Sequence, residues 1–305
     1  MKRTLIIKSD RDAFERYYND ALRAEGCVVK AAAEYKPENE NVYSWKAFRR
    51  FLSIKRKSLE QYDLIVVFEA ASLVPFLWLK AAPGTKIVLW CWNLMGDRHA
   101  HKMKAISPFC EIWTFDRGQA QKYGWKLNDQ FYCPMDVPTQ QSPKRECRKA
   151  FCACVDKGRY EELKEIRDEL NKRNIECDFT LVKEKNKQYD PQDDWVKDEG
   201  IPYPEFLQRT LDSDILVDLV QKNQVGITVR VLEALFYNKK LITNNPDVKN
   251  YPFYDERNIF VWNTNERSGF DTFMKSRYCE VSDEIRKKYT VLKWLNRFRY
   301  GKERL

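Results

Sequence analysis

The stretch from Tyr203 to Asn245 constrains the fold more than any other part of the chain. Its apolar run at 215–217 lies between acidic residues and predicts a buried strand. A polar turn that ends at Gly226 follows, and then a helix is predicted over 228–237, where apolar side chains recur at helical spacing. A second apolar run at 241–243 completes a strand–loop–helix–strand unit, which is the crossover unit of a parallel sheet.

The rest of the chain alternates in the same way. Strands are predicted at 5–7, 64–68, 86–92, 112–115, 150–155, 177–182 and 258–262, and helices at 12–24, 160–171 and 286–299. This alternation predicts an α/β protein, and 305 residues suit two domains of about 150 residues each. Because prolines and polar residues cluster at 134–143, we predict a first domain over 1–142, a second over 143–283 and a basic C-terminal helix over 284–305.

The crossover unit also predicts a ligand site. In parallel sheets, ligands bind beyond the carboxyl ends of the strands, where the N–H groups of a helix's first turn favour an anion such as phosphate. Gly226 allows close backbone approach, and Thr228 can cap the helix or donate to a phosphate. Glu233 lies about a turn further on and can accept the hydroxyls of a ribose. The alternative is a capped surface helix with Arg230 and Glu233 in solvent.

Three segments carry a family resemblance. The motif Gln224-x-Gly226-x-Thr228-x-Arg230-x-x-Glu233, with Lys239 to Asn245 after it, resembles the donor-binding segment of bacterial surface-polysaccharide glycosyltransferases. Asp156-Lys157-Gly158-Arg159 is similar to the first loop of that family's donor domain, and residues 114–132 resemble a segment that closes its acceptor domain. The resemblance is specific in 203–245 and loose before residue 110.

The resemblance implies the GT-B fold: two Rossmann-like domains that face each other across a cleft, with the C-terminal helix packing back toward the first domain. It implies transfer of a sugar, hexosyltransferase-like, from a nucleotide-sugar donor to a glycan or lipid-linked acceptor in lipopolysaccharide or capsule synthesis. The donor-binding residues it implies are Lys157, Arg159, Gln224, Gly226, Thr228, Arg230 and Glu233. Lys157 and Arg159 suit neutralisation of the diphosphate leaving group, and Arg230 suits a bidentate phosphate contact.

A general base for the acceptor hydroxyl is expected from the first domain, just after its strands. Asp10 and Glu69 lie nearest to predicted strand ends and rank first. Asn93 (as a positioning residue), Asp97 and His99 follow. The alternative for each acid is a helix cap or a loop acid, and the choice between inversion and retention of the anomeric centre stays open.

No metal or cofactor is expected besides the nucleotide-sugar co-substrate. Asp212-Ser-Asp214 matches the D-x-D pattern with which glycosyltransferases of another fold hold a divalent cation. Here the pattern ends a helix and enters a strand, where acids commonly terminate elements, and GT-B enzymes generally neutralise the diphosphate with protein groups. His99 and His101 lack a third ligand nearby for zinc.

The net charge of +9 favours phosphates, nucleic acids or anionic lipids as partners. Basic and aromatic residues interleave at 45–57, which predicts an amphipathic helix on an anionic membrane surface, or else a helix packed on the first domain's sheet. Apolar stretches fall short of the ~20 residues that span a bilayer, and the start does not resemble a signal peptide. We therefore expect a cytoplasmic protein, peripherally associated with the inner face of the membrane; nine scattered cysteines fit that compartment.

Two other functions stay open. A nucleotide-sugar epimerase can share the two-domain fold, and a basic nucleic-acid-binding protein would account for the charge. No RNA- or DNA-binding module is present in the sequence, so nucleic acid is not an expected partner. The polar segment 183–200 is predicted to be an exposed loop whose charges are solvated.

Overall fold

Two parallel β-sheets of six strands each form the framework of the computed structural model, which describes residues 3–35, 59–134, 147–263 and 267–301. The chain divides into two compact units. The first comprises Met1–Asp129 and Val291–Leu305, and the second comprises Gln130–Thr290. Helices alternate with the strands in both units, so the predicted α/β class with two Rossmann-like domains is confirmed.

The first unit contains the following elements. Its strands are β1 (Thr4–Lys8), β2 (Val28–Ala31), β3 (Leu64–Phe68), β4 (Lys86–Cys91), β5 (Glu111–Thr114) and β6 (Lys126–Leu127). Its helices are α1 (Ala13–Ala24), α2 (Ala32–Tyr35), α3 (Val74–Lys80) with a 3₁₀ turn before it (Ala71–Leu73), α4 (Asp97–Met103), α5 (Arg117–Tyr123) and α11 (Val291–Tyr300). The sheet order is β2-β1-β3-β4-β5-β6. Strands β1 and β3 are buried at every position, as expected for central strands of a parallel sheet.

The C-terminal helix α11 packs on the sheet of the first unit, which confirms the predicted return of the chain. Trp294 and Phe298 are fully buried, and the Trp294 ring lies 5.6 Å from the ring of Trp90. The Lys86 ammonium donates to the Phe298 carbonyl at 2.7 Å and so satisfies one of the carbonyls left open at the helix end. The helix predicted at 286–299 is interrupted because the Tyr289 carbonyl accepts the amide of Tyr132 instead of a helical partner.

The second unit contains the following elements. Its strands are β7 (Lys149–Val155), β8 (Glu176–Val182), β9 (Val196–Lys197), β10 (Ile215–Asp218), β11 (Lys240–Thr243) and β12 (Ile259–Val261). Its helices are α6 (Tyr160–Asn171), α7 (Tyr203–Asp212), α8 (Val229–Phe236), α9 (Phe270–Lys275) and α10 (Asp283–Lys287), with a 3₁₀ turn at Pro246–Asn250. The sheet order is β12-β11-β10-β7-β8-β9. The chain therefore winds outward from β7 in one direction and from β10 in the other.

Helix α6 shows why the elements of the second unit form where they do. Tyr160, Leu163, Ile166 and Leu170 recur at helical spacing and are all buried against the sheet. Tyr160 also stacks on Trp195, which is only 4% exposed. The prediction that 183–200 is simply an exposed loop is therefore wrong in part, because this aromatic contact anchors the segment and β9 extends the sheet.

The structure does not describe the segments on which two predicted features lie. The basic stretch at 45–57, and all of the predicted linker except Pro134, lie outside the described residues. Within the described ranges, none of the helices has the length and apolar character needed to cross a membrane.

Candidate active site

The carboxyl ends of β7 and β10 meet at the centre of the second sheet. The two strands are parallel neighbours, with Leu216 in register with Phe151. Because crossovers in parallel sheets are right-handed, the helices that follow these strands pack on opposite faces and leave a crevice between the two loops. The fold therefore brings together the two predicted donor-binding sets, from the loop 156–159 after β7 and from the loop 219–228 after β10.

The loop after β7 is fixed by Asp156, which is fully buried. Its Oδ1 accepts the amides of Arg159 and Tyr160 at 2.8 and 2.9 Å and caps α6. Its Oδ2 accepts the Lys187 ammonium at 2.6 Å and the Tyr189 hydroxyl at 2.7 Å. Burial acts to raise the pKa of Asp156, but these hydrogen bonds outweigh it and leave the pKa lowered. Asp156 is thus a carboxylate, and two side chains of 183–200 hold this loop rather than only facing solvent.

The two predicted cations of this loop differ in their surroundings. Lys157 is exposed and adopts a left-handed backbone with φ of 43°, followed by Gly158 with φ of 83°. Arg159 is half-buried, and its Nη1 donates to the Val155 carbonyl at 2.8 Å. Its Nε is buried and has no hydrogen-bond partner among the described residues. Both cations therefore lie at the carboxyl end of β7, as predicted.

The loop after β10 is shaped by amide side chains. Gln224 donates to the Gly226 carbonyl at 3.1 Å, and Asn245 donates to the carbonyls of Val225 and Gly226 at 3.0 and 3.3 Å. Thr228 caps α8, its hydroxyl oxygen accepting the Arg230 amide at 3.1 Å. Thr228 therefore has the predicted capping role, and the Gln224 side chain stabilises the turn that precedes α8.

Arg230 and Glu233 form a buried ion pair, so the alternative that places both side chains in solvent is wrong. Their exposed fractions are 9% and 2%, and Arg230 Nη1 lies 2.7 Å from Glu233 Oε2. Arg230 also donates to the Thr210 hydroxyl at 3.1 Å and lies over the Phe206 ring, 4.0 Å from its centroid. Burial raises the pKa of Glu233 to about 6, although the Arg230 charge acts in the opposite direction.

Asp218 is a candidate site residue that the sequence analysis did not select. It is the last residue of β10 and is only 7% exposed. Burial raises the pKa of its carboxyl group, against the hydrogen bond from the Thr228 side chain. Its Oδ2 has no hydrogen-bond partner among the described residues. The pattern that could have identified Asp218 in the sequence is an acidic residue directly after an apolar run, at the end of the strand where ligand binding is predicted.

In the first unit, β1 and β3 are the counterparts of β7 and β10 in the second. They are parallel neighbours, and the chain winds outward from them in opposite directions. The two acids predicted as general bases lie just after these strands, since Asp10 follows β1 and Glu69 follows β3. Both are exposed. Glu69 has a left-handed backbone with φ of 57°, and its Oε1 accepts the backbone amide and the side-chain amide of Asn93 at 2.7 and 3.0 Å. Asn93 therefore orients Glu69.

Lys8 is a second residue that the sequence analysis missed. It ends β1, is 4% exposed, and has its ammonium 5.8 Å from the ring centroids of both Phe68 and Trp92. Burial lowers the pKa of Lys8, opposed by the charges of Glu15, Asp12, Glu69 and Asp10. A buried ammonium at this point of the sheet is costly for stability, which indicates a role beyond packing.

Replacing Lys8 by Met is expected to stabilise the protein. An apolar side chain of similar length removes the desolvation cost, so the thermal midpoint should rise by roughly 2–6 °C, with a loss of activity if the ammonium serves the site. Differential scanning calorimetry measures the shift, with Lys104→Met as the control because Lys104 is exposed at the end of α4. A lower midpoint for Lys8→Met than for the control would show that the ammonium is stabilising.

The D-x-D acids lie at the opposite edge of the second sheet, at the amino end of β10. Asp214 Oδ2 accepts the amides of Arg148 and Lys149 at 2.8 and 3.1 Å, and Asp212 accepts the side-chain amide of Gln208. Within residues 3–35, 59–134, 147–263 and 267–301, no group of three His, Cys, Asp or Glu side chains could hold a metal ion. Independence from metal stays a prediction.

Comparison with known proteins reveals similarity at the level of the fold. AviGT4, a glycosyltransferase involved in avilamycin A biosynthesis, superposes with a TM-score of 0.57 over 97% of both chains at 11% identity. The chain has the GT-B fold. Anabaena Alr3699/HepE, solved in complex with UDP-glucose, gives a TM-score of 0.53 over 98% of both chains at 8% identity. No family model and no curated protein sequence matches the chain.

Proposed function

We propose that this GT-B protein transfers a sugar from a nucleotide-sugar donor to a glycan or lipid-linked acceptor. The observation that carries the proposal is that two loops follow neighbouring central strands of the second sheet: the loop of Lys157 and Arg159 after β7, and the loop that leads to the capped amino end of α8 after β10. A departing nucleoside diphosphate needs both positive charge and oriented N–H donors, and this edge of the sheet supplies them. The UDP-glucose bound to the similar HepE protein supports a nucleotide-sugar as the donor.

The donor-site residues have distinct proposed roles. Lys157 and Arg159 neutralise the diphosphate, and the loop shaped by Gln224 and Gly226 lets the backbone approach it. Thr228 presents the first turn of α8 to the phosphates. Glu233 accepts ribose hydroxyls. The bidentate phosphate contact predicted for Arg230 is replaced in this proposal by a positioning role, because Arg230 Nη1 bonds to Glu233 and Thr210 and holds the carboxylate in place.

The acceptor hydroxyl needs a base, for which we propose Asp10 or Glu69. Glu69 is the better oriented of the two because Asn93 donates two hydrogen bonds to the same carboxylate oxygen. Substitution of Glu69 by Gln keeps these contacts possible while removing the basic group, so it separates the role of the base from that of the fold.

Thermal-shift measurements with a panel of nucleotides and nucleotide-sugars test the proposed function first. We expect one nucleoside diphosphate, and its sugar conjugate, to raise the midpoint, because ligands that bind only the folded state stabilise it. Incubation with that donor and acceptor glycans should release free nucleoside diphosphate and yield a longer glycan. An epimerase would instead return an intact nucleotide-sugar, and a nucleic-acid-binding protein would bind none of the panel.

Activity is expected to persist in excess EDTA, because protein cations rather than a metal ion neutralise the leaving group. The rate of nucleoside diphosphate release with and without chelator measures this. Loss of activity that Mn²⁺ or Mg²⁺ restores would instead assign the diphosphate to a metal, with Asp212 and Asp214 as the first ligands to test by substitution.

We further propose that the enzyme acts in lipopolysaccharide or capsule synthesis, at the cytoplasmic face of the membrane. The support is the basic and aromatic composition of 45–57, since each base near an anionic surface contributes about 1 kcal/mol to binding. We expect co-sedimentation with anionic vesicles that falls as salt rises.

A variant with Arg49, Arg50, Arg56 and Lys57 changed to Gln is expected to lose this vesicle binding. Its matched control changes four exposed lysines elsewhere, Lys172, Lys183, Lys249 and Lys275, and removes the same total charge. Equal losses in the two variants would point to net charge alone. A wild type that ignores anionic vesicles at low salt would point to a soluble acceptor.

A further inference from the structure

Two buried polar atoms at the carboxyl edge of the second sheet lack hydrogen-bond partners among the described residues. They are Oδ2 of Asp218, at the end of β10, and Nε of Arg159, in the loop after the neighbouring strand β7. Nearly all buried polar atoms in folded proteins are paired, and an unpaired one costs about 1–3 kcal/mol. An unpaired carboxyl oxygen and an unpaired donor, placed after neighbouring strands at the edge where Rossmann folds bind ligands, indicate atoms that a ligand engages.

The Nη1 atoms of the two arginines near Asp218 form hydrogen bonds with other groups. The Arg230 Nη1 bonds to Glu233 and Thr210, and the Arg159 Nη1 bonds to the Val155 carbonyl. No ion pair within 4 Å joins Asp218 to a cation in the part of the chain that the structure describes. A carboxylate that is more than nine-tenths buried and has no ion-pair partner is unfavourable, and protonation relieves that cost.

We propose that Asp218 binds the nucleotide-sugar donor through its neutral carboxyl group, which donates a hydrogen bond to a phosphoryl oxygen while Arg159 Nε donates to another. This inference rests on the proposed function and deepens it by assigning the diphosphate a contact outside the predicted motif. A carboxylate would repel a diphosphate at this position, whereas a carboxylic acid offers the donor that phosphoryl oxygens accept. A protonated Asp in an apolar site is an established way to supply such a donor.

Charged and titratable groups from β7, α8 and the loop after β7 face Asp218. Burial raises the pKa of Asp218, while Thr228, Arg230 and Arg159 act to lower it. Glu233 on α8, and Cys152 and Cys154 on β7, also interact electrostatically with it. Replacing Asp218 removes its charge from these groups and so changes their titration. Asp218→Asn and Asp218→Ala both lack that charge, so they are compared with each other, as well as with the wild type, at each pH.

Calorimetric titration with UDP, GDP, ADP, CDP and dTDP over a pH series from the acidic to the alkaline limit of the folded protein tests the contact. With the diphosphate that binds the wild type best, Asp218→Ala should weaken binding by about tenfold or more, as expected when a hydrogen bond to a charged group is lost. Asp218→Asn keeps an N–H donor on a side chain of the same size. At the acidic end of the series, where Asp218 holds its proton, the affinity of this variant should stay close to that of the wild type. Asp212→Asn is the control, because Asp212 is an exposed acid that lies before the amino end of β10, whereas Asp218 lies at its carboxyl end.

The pH dependence distinguishes the neutral acid from a carboxylate. Raising the pH through the pKa of Asp218 removes its donor proton, so wild-type affinity should fall relative to Asp218→Asn, whose amide does not titrate. Equal affinities of the wild type and Asp218→Ala would overturn this inference and leave the proposed function standing. Asp218→Asn as weak as Asp218→Ala, with a ratio to wild type that does not change with pH, would also overturn it. Binding of no diphosphate by the wild type would overturn both.

Discussion

Replacing Arg159 by Ala is expected to lower the turnover of sugar transfer by about a hundredfold or more, the scale for losing one preorganised charged donor. The side chain is held beside the carboxyl end of β7 by its hydrogen bond to the Val155 carbonyl, and its buried Nε has no hydrogen-bond partner among the described residues. Turnover is measured as nucleoside diphosphate release at saturating donor. Lys157→Ala should act in the same direction, because Lys157 extends from the same loop.

Arg148→Ala is the matched control for this experiment. Arg148 precedes the amino end of the same strand and is exposed, so its loss removes the same charge at the opposite edge of the sheet. Comparable losses for Arg148 and Arg159 would mean that the overall field, rather than a local contact, drives turnover. Full activity of both Arg159→Ala and Lys157→Ala would remove this loop from the donor site.

Replacing Arg230 by Met should lower the free energy of unfolding by about 3–5 kcal/mol, because Glu233 would keep a buried charge without its partner. The double variant Arg230→Met, Glu233→Leu should recover most of this loss, since an apolar pair of similar volume needs no counterion. Urea unfolding of the wild type, both single variants and the double variant gives the coupling energy. Simple addition of the two single losses would show that the pair does not interact.

The cost of Arg230→Met is expected to depend on pH. The pKa of Glu233 in the folded wild type is raised to about 6, above its ordinary value of 4.5, and loss of the Arg230 charge raises it further. Protonation at low pH neutralises the orphaned carboxylate, so the variant should lose less stability at pH 5 than at pH 8. A cost that does not change with pH would mean that lost packing on Phe206, rather than charge, explains the effect.

The sequence predicts the central strands well because a strand buried on both faces is a continuous apolar run. This holds for β3 and β10. The sequence does not predict β2 and β9. Both strands are short and contain polar residues, and each takes up its strand conformation by pairing with a neighbouring strand. Edge strands of this kind have no local pattern that separates them from loops.

Some residues of the candidate site can also be placed from the sequence, whereas others cannot. Lys157, Arg159 and Thr228 follow apolar runs directly, so their position at the carboxyl edge is readable from the sequence. The clamp on Asp156 depends on Lys187, more than 30 residues away, and only tertiary structure brings them together. Asp218 reads as the polar end of a strand, and its lack of a hydrogen-bond partner at Oδ2 is visible only once its burial is known.

Hydrogen–deuterium exchange with and without the best-binding nucleoside diphosphate tests the central claim, a donor site at the carboxyl edge of the second sheet, most directly. Exchange slows where backbone N–H groups bond to a ligand or are shielded by it. We predict slower exchange at 156–160 and 224–230, and no change at 212–214, at the opposite edge of the same sheet. Protection confined to other segments, or strongest at 212–214, would contradict the account.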